Sequence, residues 1–130
     1  MNSHLKLSYD HNAFLVTDLE RSIRFYKEVL LLSELTAPFP KDSFRWMDLG
    51  GDQQLHLILS EEVTEKNKGV HLALKTPAFD AFIQHLENMK VPYTDWPGEV
   101  SKVNLRPDGI RQIYFEDPDG YWIEINDAAY

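Results

Sequence analysis

The chain repeats its own plan. His11-Asn12-Ala13-Phe14-Leu15-Val16 lines up with His71-Leu72-Ala73-Leu74-Lys75-Thr76, 60 positions later. At that offset Leu19 falls on Phe79, Ile23 on Ile83 and Tyr26 on Leu86. Leu55-His56-Leu57 then matches Ile123-Glu124-Ile125 at an offset of 68, and the eight extra residues suit a longer loop in the second half. Few of these matches are identities, so the repeat rests on pattern and order. It still calls for two copies of one supersecondary unit, and few folds meet that demand.

Each half opens on a short strand followed by an amphipathic helix. In the first half Thr17-x-x-Glu20 is a capping-box pattern beside an apolar stripe at Leu19, Ile23, Tyr26 and Leu30. In the second, Thr76 reads as the N-cap and Pro77 as the first helical residue, where its missing N–H does no harm. The stripe there is Phe79, Phe82, Ile83, Leu86 and Met89, and Pro92 stops the helix. Alternation places strands at 11–16, 34–38, 44–49 and 54–59, then at 70–75, 93–105, 111–116 and 121–126. Gly50-Gly51-Asp52 and Asp117-Pro118-Asp119-Gly120 are turn chemistry between paired strands. The pattern is βαβββ twice, an α+β fold. One domain over 1–130 is expected, with module one at 8–62 and module two at 69–128.

Composition narrows the function classes. With 13 basic and 21 acidic side chains the net charge is −8 and the pI about 5.0, which argues against a phosphate-backbone partner and so against nucleic acid. There are no cysteines, so disulfides, thiolate nucleophiles and Cys-ligated metal sites are out. The longest aliphatic run, Val29 to Leu32, is far below the roughly 20 residues a bilayer span needs, and Met1 to Leu7 has no apolar signal core. A cytoplasmic globular protein without membrane contact is expected.

Strand alternation sorts the polar residues. Gln54, His56 and Ile58 oppose Leu55, Leu57 and Leu59; His71, Ala73 and Lys75 oppose Val70, Leu72 and Leu74. Trp122, Glu124 and Asn126 oppose Tyr121, Ile123 and Ile125; His11, Ala13 and Leu15 oppose Asn12, Phe14 and Val16. The aliphatic face is the one a helix covers, so His11, His56, His71 and Glu124 project from the other. Taken singly, a strand histidine is more often a hydrogen-bonded core or surface residue than a ligand, and a lone Glu124 reads as a solvated side chain. Four on equivalent faces of the two halves are harder to assign to accident. Three imidazoles and one carboxylate suit one divalent first-row ion: Fe, Mn, Ni, Co or Zn. His11, His71 and Glu124 make a two-His, one-carboxylate set with open positions for substrate, and His56 is a candidate fourth ligand. His4, near the terminus, and His85, beside the second apolar stripe, read as incidental. Trp122 and Gln54 share faces with Glu124 and His56 and are candidate lining residues; Trp46 and Trp96 fit a lid or a core equally. Arg106 and Arg111 suit an anionic substrate group, though a surface salt bridge is the commoner fate of such residues.

At these residues the chain resembles the vicinal oxygen chelate superfamily, also called the glyoxalase, bleomycin-resistance and dioxygenase superfamily. The marks are His11-x5-Thr17-Asp18-Leu19-Glu20-Arg21-Ser22 with Phe25-Tyr26, the Val70-His71-Leu72-Ala73 strand, and Tyr114-Phe115-x-Asp117-Pro118-Asp119-Gly120-x-x-Ile123-Glu124. The resemblance runs from His11 to Asp127 and implies paired βαβββ modules forming a cupped mixed sheet around a metal, with the helices on the outer face. It puts ligands at His11, His56, His71 and Glu124. The pattern is most like bacterial glyoxalase I, the lactoylglutathione lyases, acting on a small substrate with vicinal oxygens. That enzyme has Glu where this chain has His56, and its two carboxylates shuttle a proton between neighbouring carbons. Here the implied catalytic groups are Glu124, as the base, and His56, as ligand or base. His11, His71 and Glu124 equally match the fosfomycin-type thiol transferases and the extradiol dioxygenases. Bleomycin-resistance proteins use the same cup to bind drugs without a metal, a fourth alternative. Small members often close one cup with modules from two chains, so a homodimer with interfacial metal sites is implied.

Overall fold

The computed structural model describes residues 3–62 and 64–130. Two compact units divide at residue 63, Met1–Val63 and Thr64–Tyr130. After a 3-10 turn over Ser3–Leu5, module one comprises β1 (His11–Val16), α1 (Leu19–Glu28), β2 (Glu34–Leu35), β3 (Phe44–Gly50) and β4 (Gln53–Leu59). Module two comprises β5 (His71–Lys75), α2 (Phe79–Asn88), β6 (Asn104–Leu105), β7 (Arg111–Glu116) and β8 (Trp122–Asn126). Each module has its own four-stranded mixed sheet, ordered β1-β4-β3-β2 in one and β5-β8-β7-β6 in the other. The doubled βαβββ plan read from the repeat is therefore the fold. Among the described residues no helix is long and apolar enough to cross a membrane.

The first strand of each module pairs parallel with the last, and α1 or α2 supplies the crossover a parallel pair requires. In module one Phe14, Val16, Met47, Leu55 and Leu57 are buried with Leu19, Ile23, Tyr26, Val29 and Leu30. In module two Leu72, Ile113, Phe115, Ile123 and Ile125 are buried with Phe79 and Leu86. Helix coverage of the aliphatic sheet faces leaves the opposite faces to the polar residues.

Several local details differ from the expectation. The N-cap of α1 is Asp18, whose Oδ1 accepts from Arg21 N at 3.1 Å; Thr17 instead accepts from the Arg21 guanidinium at 3.0 Å. Aspartate one residue later competes for the same orphan N–H groups and wins with a charged acceptor. Helix α2 starts two residues later than expected, at Phe79 rather than Pro77. Its N-cap is Ala78, without a side-chain cap, because Thr76 Oγ1 spends itself on Ala78 N at 3.0 Å. Of its stripe only Phe79 and Leu86 are buried, and Met89 is 38% exposed. Val70 is 80% exposed and precedes β5 rather than joining its inner face. The strands expected at 34–38 and 93–105 shrink to β2 and β6, with Thr94 forming isolated bridges to Val100 and Tyr114.

The Asp117-Pro118-Asp119-Gly120 turn explains how β7 hands over to β8. Asp117 is buried, and its Oδ1 accepts from Asp119 N at 2.9 Å and Tyr121 N at 2.8 Å. Gly120 closes the turn at φ 88°, a left-handed backbone that a side chain disfavours.

Candidate metal centre

In module one His11 lies opposite Gln54 and Ala13 opposite His56, so both histidines stand on one sheet face. Their rings stack, with centroids 3.9 Å apart and planes 13° from parallel. Trp46, opposite His56 on β3, stacks on the His56 ring at 4.1 Å and 2°. Trp46, His56 and His11 thus form one pile of three rings. His11 Nδ1–H donates to Asp10 Oδ2 at 2.6 Å. A carboxylate only accepts, so the neutral ring keeps a lone pair on Nε2. His56 is turned the other way: its Nε2–H donates to the Gln54 amide oxygen at 2.8 Å. Burial, then the neighbouring His11, holds the His56 pKa below the ordinary 6.5.

Module two repeats the register with different chemistry. His71 lies opposite Trp122 and Ala73 opposite Glu124. His71 Nδ1–H donates to the Lys68 carbonyl at 2.8 Å, which again leaves the lone pair on Nε2. That nitrogen sits 3.2 Å from Glu124 Oε1. Glu124 is 4% exposed, and its Oε2 accepts from Asn126 Nδ2 at 2.7 Å. Tyr114, opposite Glu124 on β7, also donates its hydroxyl to the carboxylate. Burial, reinforced by that bond, raises the Tyr114 pKa far above its usual value, so it stays a donor.

The donor chemistry fits a divalent ion at three of the four residues. His11 and His71 each anchor Nδ1–H on an acceptor and present a bare Nε2, the arrangement that orients metal-ligating imidazoles. A neutral His71 facing the Glu124 carboxylate is two acceptors meeting, and only a proton or a cation relieves that. His56 fits less well. Imidazole lone pairs lie in the ring plane, and ligand bonds run about 2.0–2.1 Å. Two nearly parallel rings stacked at 3.9 Å do not both direct in-plane lone pairs at one ion, and His56 Nε2 is already bonded to Gln54. The structure brings His11 together with His56, and His71 with Glu124. Among the described residues no group of three or more such side chains is gathered.

The other candidates find clear places. Arg111 binds Asp127 at 2.9 Å and Asp80, in the first turn of α2, at 2.8 Å, and its guanidinium covers the Phe79 ring. It belongs to the helix face, opposite Glu124. Arg106 pairs with Asp108. Both arginines are structural ion pairs here. Gln54 orients His56, Trp46 covers it, and Trp96 and Tyr114 meet His71 edge-on at 6.4 and 5.6 Å. His85 packs beside Phe82 on α2, and His4 is exposed in the 3-10 turn. Sequence reasoning passed over Asn126 and Tyr114 as supports of Glu124. Asn126 was in reach, since i and i+2 share a strand face. Tyr114 needed the β7–β8 register, which sequence alone leaves open.

A family model described as the glyoxalase/bleomycin resistance protein/dioxygenase superfamily matches residues 8–125. The chain belongs to that superfamily. YwbC, an uncharacterized protein of Bacillus subtilis (strain 168), is 32% identical over 123 residues, 89% of this chain and 94% of YwbC. The metallothiol transferase FosB of Bacillus licheniformis is 32% identical over 135 residues, 99% of this chain and 80% of FosB. The solved structure of lactoylglutathione lyase from Agrobacterium tumefaciens superposes with a TM-score of 0.72 at 17% identity, covering 95% of this chain and 96% of that one. At that identity the likeness to the lyase is one of fold. Superfamily members include metal-dependent enzymes, and one fold in this group carries several chemistries.

Proposed function

We propose that this superfamily member is a metal-dependent enzyme of the thiol-transferring kind, acting on a small electrophile with neighbouring oxygens. The observation that carries the reading is the single carboxylate. Glu124 faces His71, while the position where a proton-shuttling isomerase carries its second carboxylate is His56, stacked between Trp46 and His11. A lactoylglutathione lyase-like isomerisation needs a base on each of two carbons, or one base that reaches both. Thiol transfer asks less of the protein: orientation of the electrophile and stabilisation of the oxygen that leaves. The similarity to FosB over 99% of the chain supports the same choice.

His11, His71 and Glu124 would hold one divalent ion, which supplies Lewis-acid stabilisation of a substrate oxygen. Asn126 and Tyr114 hold the Glu124 carboxylate in one orientation. Asp10 and the Lys68 carbonyl hold the imidazoles in the ligand tautomer. The Trp46–His56 stack presents a rigid aromatic wall beside His11. A homodimer, in which one ion takes His11 from one copy and His71 with Glu124 from the other, completes the proposal.

Protein purified without chelator and titrated with Mn, Ni, Co, Zn and Fe should take up one ion per chain. Loaded protein should then join a low-molecular-weight thiol to an oxirane such as fosfomycin. Turnover of a methylglyoxal–thiol adduct with no thiol transfer would establish the isomerase reading instead, and absence of metal uptake would establish the drug-binding one. Mixing His11→Ala with Glu124→Gln chains tests the dimer. Shared sites give mixed dimers one intact site and recover part of the activity, and a site built within each chain recovers none.

A further inference from the structure

Rows of side chains cross the face of the module-one sheet opposite α1, and they grade from polar to apolar. The first row is His11, Gln54 and Asp48, and the second is Ala13, His56 and Trp46. The third is Leu15, Ile58 and Phe44. Residues opposite one another in register share a face, so each row spans β1, β4 and β3. The first row hydrogen-bonds: His11 to Asp10, Gln54 to His56, and Asp48 to Gly50 N at 2.7 Å. The third row carries no side-chain hydrogen-bonding group, although α1 packs on the other face of the sheet.

Module two does not follow that grading. Its third row is Lys75, Asn126 and Gln112. Lys75 bonds to the Tyr130 carbonyl, Asn126 to Glu124, and Gln112 to Asn104 at 2.8 Å. The shared frame therefore tolerates polar groups there, and the apolar row is a property of module one.

The rings on this face suit contact with something flat. His11, His56 and Trp46 stand on neighbouring strands and stack at 3.9 and 4.1 Å, slightly less than the roughly 4.8 Å between strands. The pile therefore runs across the sheet, with its rings on edge. Ring edges carry the positive end of the aromatic quadrupole and attract the negative face of another π system. Phe39, from the loop between β2 and β3, meets Trp46 at 6.1 Å and Phe44 at 4.9 Å and is 49% exposed. It carries the ring surface from the second row to the third. From Gln54 in the first row to Ile58 in the third is about 13 Å of strand.

We infer that the substrate carries a flat aromatic body of fused rings, which lies over the second and third rows of module one with its neighbouring oxygens at the His11 end. Only the placing of those oxygens rests on the reading above. Ligand sites share this design, an apolar lining with a few polar groups that fix orientation. The ring surface passes without a break into His11, whose Nε2 lone pair is bare. That continuity between an apolar surface and a ligand-type nitrogen matches an amphipathic small molecule rather than a second copy of the chain.

The test is a binding experiment on the metal-free protein, so it reads the body and not the ion. A naphthalene diol with adjacent hydroxyls should shift the Trp46 indole N–H signal, assigned by its loss in Trp46→Phe. Catechol, the same head on one ring, should bind about tenfold more weakly, and the saturated decalin diol about fivefold more weakly. Phe39→Ala should weaken the naphthalene diol about three- to tenfold. Ile58→Asn, which copies module two, should do the same and leave catechol within about twofold. An unmoved Trp46 signal, equal affinity for the decalin diol or an unaffected Phe39→Ala variant each overturns the inference. So does exclusion of the probe together with conversion of a dimer to a monomer by Phe39→Ala in light scattering, which gives the face to a second copy of the chain. Should Ile58→Asn fail to fold, Phe39→Ala, in an exposed position, decides. In metal-loaded protein, thiol transfer should favour a naphthyl oxirane over propylene oxide about tenfold in kcat/KM, and equal values overturn the inference. Naphthalene diol binding as expected, with no thiol transfer to either oxirane, leaves the fused-ring site standing and overturns the thiol-transferring reading instead.

Discussion

The two modules share one register and differ in what they put on it. His11 beside His56 in module one corresponds to His71 beside Glu124 in module two. Trp46 opposite His56 corresponds to Tyr114 opposite Glu124. The consequences diverge. Module one presents stacked rings with an exposed Asp10 as anchor, and module two buries a carboxylate under three polar contacts. An imidazole tolerates an aromatic pile because it is flat and can be neutral. A buried carboxylate demands donors, which is why Tyr and Asn stand where module one has Trp46 and Ile58. The same frame occurs twice, and the cost of burying charge sets the two copies apart.

The largest effect that sharpens this comparison is expected at the carboxylate. Glu124→Gln should fold, by circular dichroism, and lose Co(II) or Mn(II) affinity by about 100-fold or more, since both charge and a ligand oxygen go. His56→Leu should change affinity by less than about tenfold, because its ring packs and its Nε2 serves Gln54. Comparable losses in calorimetric titrations of the two variants would erase the difference and make four ligands of equal standing.

Next come the supports. Asn126→Leu removes a bond to a buried charge and should cost on the order of 2 kcal/mol of stability, with metal affinity falling about tenfold. Asp10→Ala should lower affinity by a similar factor with little change in Tm, because Asp10 is 84% exposed. Equal Tm losses would show that the module-one anchor is also structural.

A third contrast lies on the helix faces. Arg45 in β3 ties Glu34 of β2 to Glu20 in the first turn of α1, as Arg111 ties Asp127 to Asp80 in the first turn of α2. The Arg45 guanidinium lowers the Glu34 carboxyl from 4.5 to about 2. A depressed carboxyl pKa contributes stability that is complete above pH 4.5 and lost as pH falls toward 2. Glu34→Gln should therefore flatten the acid limb of Tm against pH in that window, with a loss near pH 7 on the order of 3 kcal/mol. An unchanged acid limb would mean that the ion cluster acts through packing alone.

The smallest effect separates the two helix starts. Asp18→Ala should cost about 1 kcal/mol in denaturant unfolding, and Ala78→Asp should gain a similar amount by supplying α2 with the cap it lacks. No gain at position 78 would show that Thr76 already satisfies the first turn of α2.

Much of this molecule was legible in one dimension. The repeat announced by His11-to-Val16 and His71-to-Thr76 dictated two βαβββ modules, because apolar residues at periods of 2 and 3.6 leave little choice of element. Alternation also put His11, His56, His71 and Glu124 on the polar faces, since a strand's side chains have only two directions. Edge elements were legible least: β2 and β6 are two residues each, and so short a pairing leaves no period to read. The ring pile of Trp46 on His56, the Tyr114 bond to Glu124 and the caging of Lys68 by residues 94–96 were not legible at all. Each joins residues at least 10 positions apart across a strand pair or a loop. Pattern along a chain records which way a side chain points. Which partner it meets, and so which nitrogen of a histidine carries the proton, depends on register and loop closure, and only the tertiary structure decides those.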